Sequence, residues 1–200
     1  FSDPDGDELT FTATSSNVNV VSTSIFVIGN VLRLSALLGG SATITVRATD
    51  PGGLFIEGEF TFNVNNRDPD YTTTMPDVTI DKSNSHTMTL TNHFSDPDGD
   101  TLTFTALSSD ATIASASING TQLTINGLLD GTVRITVRAT DPQSAFSDRF
   151  FDFTVVNRPP TYTNIPTITI NKSTSETLTL SDYFTDPDGD TITYSVSTSD

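Results

Sequence analysis

The segment FSDPDGD at Phe1 returns unchanged at Phe94 and as FTDPDGD at Phe184, at spacings of 93 and 90 residues. VRATDP at Val46 returns at Val137, and NNRDP at Asn65 is answered by VNRPP at Val156, each 91 residues further on. A period of this length exceeds the roughly 20–50 residues of a solenoid repeat, whose units borrow their core from neighbours. Val, Ile, Leu and Phe supply 53 of the 200 residues. That is about a quarter, above the roughly 20% below which a chain buries too little apolar surface to offset its conformational entropy. The chain therefore reads as a tandem array of units that each hold a core. Proline cannot donate to a ladder and stiffens the chain, so residues 66–69 and 157–160 are the expected linkers.

Within a unit the dominant period is two. Residues 101–106 and 133–139 alternate apolar and polar side chains, which sets one face on a core and the other in water. Further strands are expected at residues 78–80, 88–94, 112–118, 122–125 and 151–155, with Gly, Asp, Asn or Pro between them and no helical periodicity. Seven short strands in about 91 residues imply an immunoglobulin-like β-sandwich. The 58 Ser and Thr residues suit the solvent faces of such strands.

DPDGD places Asp at alternate positions, Asp96, Asp98 and Asp100, with Gly99 letting the chain curl back. Hard cations such as Ca2+ take about six to eight oxygens, so three carboxylates on a tight loop make half a site. The spacing is not that of an EF-hand, whose sixth and twelfth positions would here be Thr101 and Leu107. Asp, Pro and Gly also build plain turns, but like charges this close repel unless a cation compensates them. If seven strands alternate in direction, the loops after the second and sixth lie at one end of the domain. Asp96, Asp98, Asp100 and Asp141 are thus expected to converge near Asn66 and Asp68. The same reasoning groups Asp3, Asp5, Asp7 and Asp50, and sets Asp186, Asp188 and Asp190 against Asn157.

In FSDPDGDxLTFTA, VRATDP and NRxP the chain resembles the cadherin-like (dystroglycan-type) and related immunoglobulin-like tandem domains of bacterial or archaeal surface proteins. The resemblance implies calcium shared between neighbouring domains, with Asp96 and Asp98, then Asp141, then Asn157 at the matching positions. A cadherin LDRE segment and a full DxNDN linker are absent, and without Trp strand-swapped adhesion of the vertebrate type is not implied.

The net charge of −16, from 25 acids against 9 bases, excludes a basic face for nucleic acid. Without Cys there is no disulfide or thiolate chemistry. The longest apolar stretch, residues 25–38, is cut by Gly29, Asn30, Arg33 and Ser35 and falls short of the roughly 20 residues that span a bilayer. His86 and His93 align with Glu176 and Tyr183, so neither marks a catalytic base, and no G-x-S-x-G is present. Leu37, Leu38, Leu128 and Leu129 are expected to plug the loop before the sixth strand, and Arg47, Arg134 and Arg138 to sit solvated or paired on polar strand faces. Asn119 and Asn171 fit N-x-[ST], although Asn119-Gly120 is also a hairpin signal.

The expected fold is therefore all-β, with tandem seven-stranded Ig-like/cadherin-like β-sandwich domains joined by short Pro-containing linkers. Residues 1–66 form a domain lacking its first strands, 67–158 a complete one, and 159–200 the first strands of a further one. The expected role is a non-enzymatic, calcium-binding structural repeat of an extracellular adhesin stalk or surface fibre. Its partners would be neighbouring repeats and a cell-surface or glycan ligand; the alternative is a carbohydrate- or partner-binding accessory module of a secreted enzyme. The array is either continuous or a fibre in which residues 161–183 complete the first unit of the next subunit. Duplication of residues 1–17 by 184–200 favours the former.

Overall fold

The computed structural model describes residues 1–26 and 31–199, so residues 27–30 of the apolar stretch lie outside the described residues. The chain forms two compact units. One comprises Phe1–Asp68, Pro97–Asp100 and Pro142–Ala145, the other Pro69–Asp96, Thr101–Asp141 and Phe146–Asp200.

The first unit holds β1 (Thr10–Ser15), β2 (Val21–Phe26), β3 (Val31–Ala36), β4 (Gly40–Thr49) and β5 (Phe55–Val64). They form two sheets, β1-β4-β5 and β2-β3. Val20, Val21, Ala42 and Ile44 are its buried cluster, with Leu32, Leu34, Val46, Phe62 and Val64 half-buried against it.

In the second unit β6 (Asp70–Tyr71), β7 (Val78–Asp81), β8 (Ser85–Thr89), β9 (Phe94–Ser95), β10 (Thr103–Ser108) and β11 (Ala114–Asn119) come first. β12 (Gln122–Gly127), β13 (Gly131–Thr140), β14 (Phe146–Val156), β15 (Thr161–Tyr162) and β16 (Phe184–Thr185) follow. The sheets β10-β13-β14-β7 and β11-β12-β8 face each other across a core that includes Leu90, Phe94, Leu123, Ile125, Ile135, Phe151 and Phe153. β13 shows why the pattern folds this way: Val133, Ile135, Val137 and Ala139 point inward while Arg134 and Arg138 alternate outward. β7 pairs with β14 in parallel, Phe153 opposite Val78 and Val155 opposite Ile80. A first and seventh strand running the same way is what alternating direction requires.

Two expectations need correction. Residues 88–94 are not one strand; β8 ends at Thr89, a 3-10 turn covers Leu90–Asn92, and β9 resumes at Phe94. Three core side chains lie here, Met88, Leu90 and Phe94, and the His93 N–H closes the 3-10 turn onto the Leu90 carbonyl at 2.9 Å. Nor are the Leu pairs plugs. Leu37, Leu38, Leu128 and Leu129 are exposed; their loop is fixed by backbone bonds, Leu37 N–H to Val20 at 2.9 Å and Leu128 N–H to Ile113 at 2.8 Å.

The arginines behave as expected. Arg138 makes a two-pronged pair with Asp148 (2.7 Å each) and Arg47 pairs with Glu57 at 2.6 Å. Their guanidinium carbons lie 3.8 Å from the Phe146 centroid and 3.9 Å from that of Phe55, and Arg134 covers Phe150 at 4.1 Å.

Candidate functional site

The DPDGD loop is built around its first aspartate. Asp3 Oδ1 accepts the N–H groups of Asp5 (2.8 Å) and Asp7 (3.3 Å), and Asp186 Oδ1 those of Asp188 (2.8 Å) and Asp190 (3.2 Å). The Gly6 and Gly189 N–H groups close the turn onto the carbonyls of Asp3 and Asp186. Gly6, Gly99 and Gly189 have φ of 82°, 83° and 80°, the left-handed region that a side chain disfavours. The first Asp is a turn-former, and the chemistry passes to the other two.

The middle aspartate is held by an arginine, and the arrangement occurs twice. In the first unit the Arg67 backbone N–H donates to Asp98 Oδ2 at 2.8 Å, its Nε to Oδ1 at 2.7 Å, and its Nη2 to the Pro97 carbonyl. In the second unit the Arg158 backbone N–H donates to Asp188 Oδ2 at 2.5 Å, its Nε to Oδ1 at 2.8 Å, and its Nη2 to the Pro187 carbonyl at 2.8 Å. One residue therefore supplies a main-chain donor and a guanidinium fork to one carboxylate and its neighbouring carbonyl. The backbone donor, followed by the guanidinium, holds both Asp98 and Asp188 below the usual carboxylate range. The Asp188 side chain is wholly buried.

Further contacts fix the loop in the second unit. Lys82 Nζ donates to Asp190 Oδ1 at 2.5 Å, and that bond raises the Lys82 pKa. Ser83 Oγ donates to the Asp188 carbonyl at 3.0 Å, and Arg158 Nη1 lies 3.3 Å from Asp81 Oδ2.

The structure gathers the expected residues in part. In the first unit Asp3, Asp5 and Asp50 line one cleft of about 410 Å³. There the Asp50 carboxylate is occupied by the Leu54 N–H at 2.9 Å. Asn66, Asp98 and Asp100 line another cleft of about 130 Å³. Beside it the Gln143 amide brackets Gly39, donating to its carbonyl and accepting its N–H, both at 2.9 Å. A Cβ on Gly39 would fall 2.7 Å from Asn66 Cβ, so only glycine allows this approach. Asp7 and Asp68 are exposed. In the second unit Asp141 is buried, Asp96 half-buried and Asn157 exposed. Asn119 ends β11 at the expected two-residue turn, and Asn171 starts a turn onto which Thr174 closes.

Measured against calcium, the donor set of the third loop is committed: Asp188 to Arg158, Asp190 to Lys82, and Asp186 Oδ1 to two N–H groups. Among the described residues no group of three or more His, Cys, Asp or Glu is placed to hold a metal ion. In that third loop Arg158 and Lys82 supply the compensating charge. Sequence reasoning passed over Arg67 and Arg158. Their signal was the repeated N-R-x-P, with Arg 31 and 30 residues ahead of the middle Asp. It also overlooked Phe55, Phe146 and Phe150, exposed aromatics beneath arginines.

No protein-family model matches the chain, and no curated protein matches it. Similar solved structures include domains 4 and 5 of the S-layer protein SbsC, with 19% identity over 78% of this chain and 78% of that one and a TM-score of 0.37. An endo-fucoidan hydrolase from glycoside hydrolase family 107 is 18% identical over 76% of this chain and 24% of that one, with a TM-score of 0.36. Human protocadherin-24 EC1-2 is 16% identical over 79% of this chain and 86% of that one, with a TM-score of 0.37. Among the described residues no helix is long and apolar enough to cross a membrane.

Proposed function

We propose that this chain is a non-enzymatic structural segment of an extracellular tandem β-sandwich array, the shaft of a microbial adhesin or surface fibre. The observation that carries the reading is the twice-built clamp, Arg67 on Asp98 and Arg158 on Asp188. A repeated device that spends its charged groups on one another holds chain segments in place, whereas catalysis needs a carboxylate or base left poised toward a substrate. A carbohydrate- or partner-binding module is the second reading, and the exposed Phe146 and Phe150 favour it. Arg138 and Arg134 stack on those rings and compete with a sugar for their faces.

Calcium belongs to this proposal as a ligand of the aspartate loops. It meets least competition at Asp3, Asp5, Asp7 and Asp50, which among the described residues have no Lys or Arg ion pair. At Asp98 and Asp188 it must displace arginine. Binding to the folded state alone adds about 2.7 kcal/mol at a hundredfold excess over Kd, a rise of roughly 10 °C for a domain of this size. Calorimetry in millimolar Ca2+ against chelator is therefore expected to move the melting of the first unit upward, and Mg2+ to move it much less, because its octahedral preference suits a flexible Asp-rich loop poorly. Superimposed curves would remove calcium from the proposal and leave the protein's own Arg and Lys as the counter-charges. The stalk reading itself fails if electron microscopy of the native particle shows isolated globules instead of strings or filaments.

A further inference from the structure

Two Asn-Gly pairs occur in the chain, Asn119-Gly120 and Asn126-Gly127. In such a pair the glycine nitrogen, with no Cβ beside it and freely turning dihedrals, is able to reach the amide carbon of the preceding side chain. Both pairs belong to the β11–β12 hairpin, and the fold treats them oppositely.

Asn119 ends β11 and pairs with Gln122, which leaves Gly120 and Thr121 as the turn. Asn119, Gly120 and Thr121 are all exposed. Gly120 has φ of 60°, and a Cβ built on it would meet nothing within 4 Å. No packed neighbour holds its nitrogen away from the Asn119 side chain. Asn126 lies inside β12, paired with Ser115 on one side and Ser85 on the other. Its glycine is buried, the Gly127 N–H donating to the Asn84 carbonyl at 2.9 Å and the Gly127 carbonyl accepting the Ser83 N–H at 3.0 Å. Val155 and Ile80 side-chain atoms stand 3.0 and 3.1 Å from where a Cβ would be. Gly127 cannot turn toward Asn126 without breaking these bonds and moving against that core.

We propose that Asn119 is a self-modification site, converted by its own chain to aspartate and isoaspartate, and that the fold spares Asn126. The Gly120 amide gives its proton to a solvent base, and its nitrogen attacks Asn119 Cγ. A bond forms between that nitrogen and Cγ, the Cγ–Nδ2 bond breaks, and Nδ2 takes a proton from water and leaves as ammonia. The product is a succinimide ring. Water then opens it, at Cγ to give aspartate or at the main-chain carbonyl to give isoaspartate, in which the chain runs through Cβ. Water is the sole co-reactant, and no electrons change hands. The turn gains a negative charge, and the rerouted backbone falls between Asn119 and Gly120, beyond the pairing of Ile118 with Leu123. Nδ2 is also the atom that would carry a glycan in Asn119-Gly120-Thr121, so each modification precludes the other. The site depends on neither the aspartate loops nor the shaft reading.

The folded 200-residue chain, incubated for weeks at neutral and at mildly alkaline pH, tests it by peptide mapping with electron-transfer fragmentation, which separates aspartate from isoaspartate. Conversion is expected to grow at Asn119, faster at the higher pH because the attacking nitrogen must first lose its proton. At Asn126 it is expected to be slower by about a hundredfold or more, since reaction there waits on the opening of β12. In urea the two sites are expected to react at similar rates. Asn119→Gln, which keeps the amide at an exposed turn but needs a larger ring, is expected to stay unconverted. A folded chain that remains unconverted at Asn119 overturns the proposal, as do equal rates at the two sites in the folded state. An equally large difference in urea also overturns it, since the fold would then not be what spares Asn126.

Discussion

Phe153→Ala is expected to lower the melting temperature of the second unit by about 12 °C or more, whereas Phe62→Ala costs the first unit distinctly less. The two phenylalanines hold the same place in the repeat, 91 residues apart. Phe153 is fully buried between the sheets and aligned with Val133 and Val78. Removing such a ring loses transfer free energy and leaves a cavity, about 3–5 kcal/mol, and each kcal/mol moves the melting temperature of a domain this size by roughly 4–8 °C. Phe62, half-buried against its cluster, has less to lose. Calorimetry of each single variant measures both values. Equal losses would mean that Phe62 is as tightly packed as Phe153.

The second large effect is expected at the clamp. Arg158→Met keeps much of the side chain's apolar bulk and removes its charge, stranding the buried Asp188 carboxylate without its fork of donors, which destabilises strongly. Unfolding is expected several degrees lower, and the pH dependence is expected to become shallower. In the wild type the Asp188 pKa lies below its ordinary value near 3.8. The unfolded state then binds the proton more readily, so this contribution is present above that value and is lost as pH falls through the lower folded one. In Arg158→Met the backbone N–H remains and only the guanidinium's share is lost, so the stability that Asp188 loses as pH falls becomes smaller and the acid slope shallower. Adding Asp188→Asn should abolish either slope. Melting temperatures of the three proteins against pH decide it, and an unchanged slope in Arg158→Met would show that the guanidinium does not set the charge state of Asp188.

Much of the sandwich was legible because period-two alternation survives without context. β13 reads VRITVRA and buries every second residue. Residues 88–94 were misread because their core side chains Met88, Leu90 and Phe94 keep the even spacing of a strand, and nothing in that spacing marks the 3-10 turn at Leu90–Asn92. The Leu pairs were misread because burial was inferred from apolarity alone, whereas backbone bonds fix that loop and leave its side chains out. At the candidate site the aspartates were conspicuous and their counter-ion was not. Arg67 and Arg158 were read as part of a linker, because nothing local in N-R-x-P says that its arginine reaches a carboxylate some thirty residues on.

What the sequence determined by itself is what depends on short range and repetition: the strands, the turn-forming role of Gly6, Gly99 and Gly189, and the recurrence of one design along the chain. Local chemistry is the same wherever a segment lies, so a copied segment repeats its local structure, as the matched turns at Ser83 and Ser173 show. Tertiary structure alone decided which copies of a segment pair as strands. Residues 78–90 and 168–180 are nearly the same peptide, yet one lies in the sheets and the other outside any strand. A strand's hydrogen bonds and burial come from its neighbours, and no segment carries its neighbours in its own sequence.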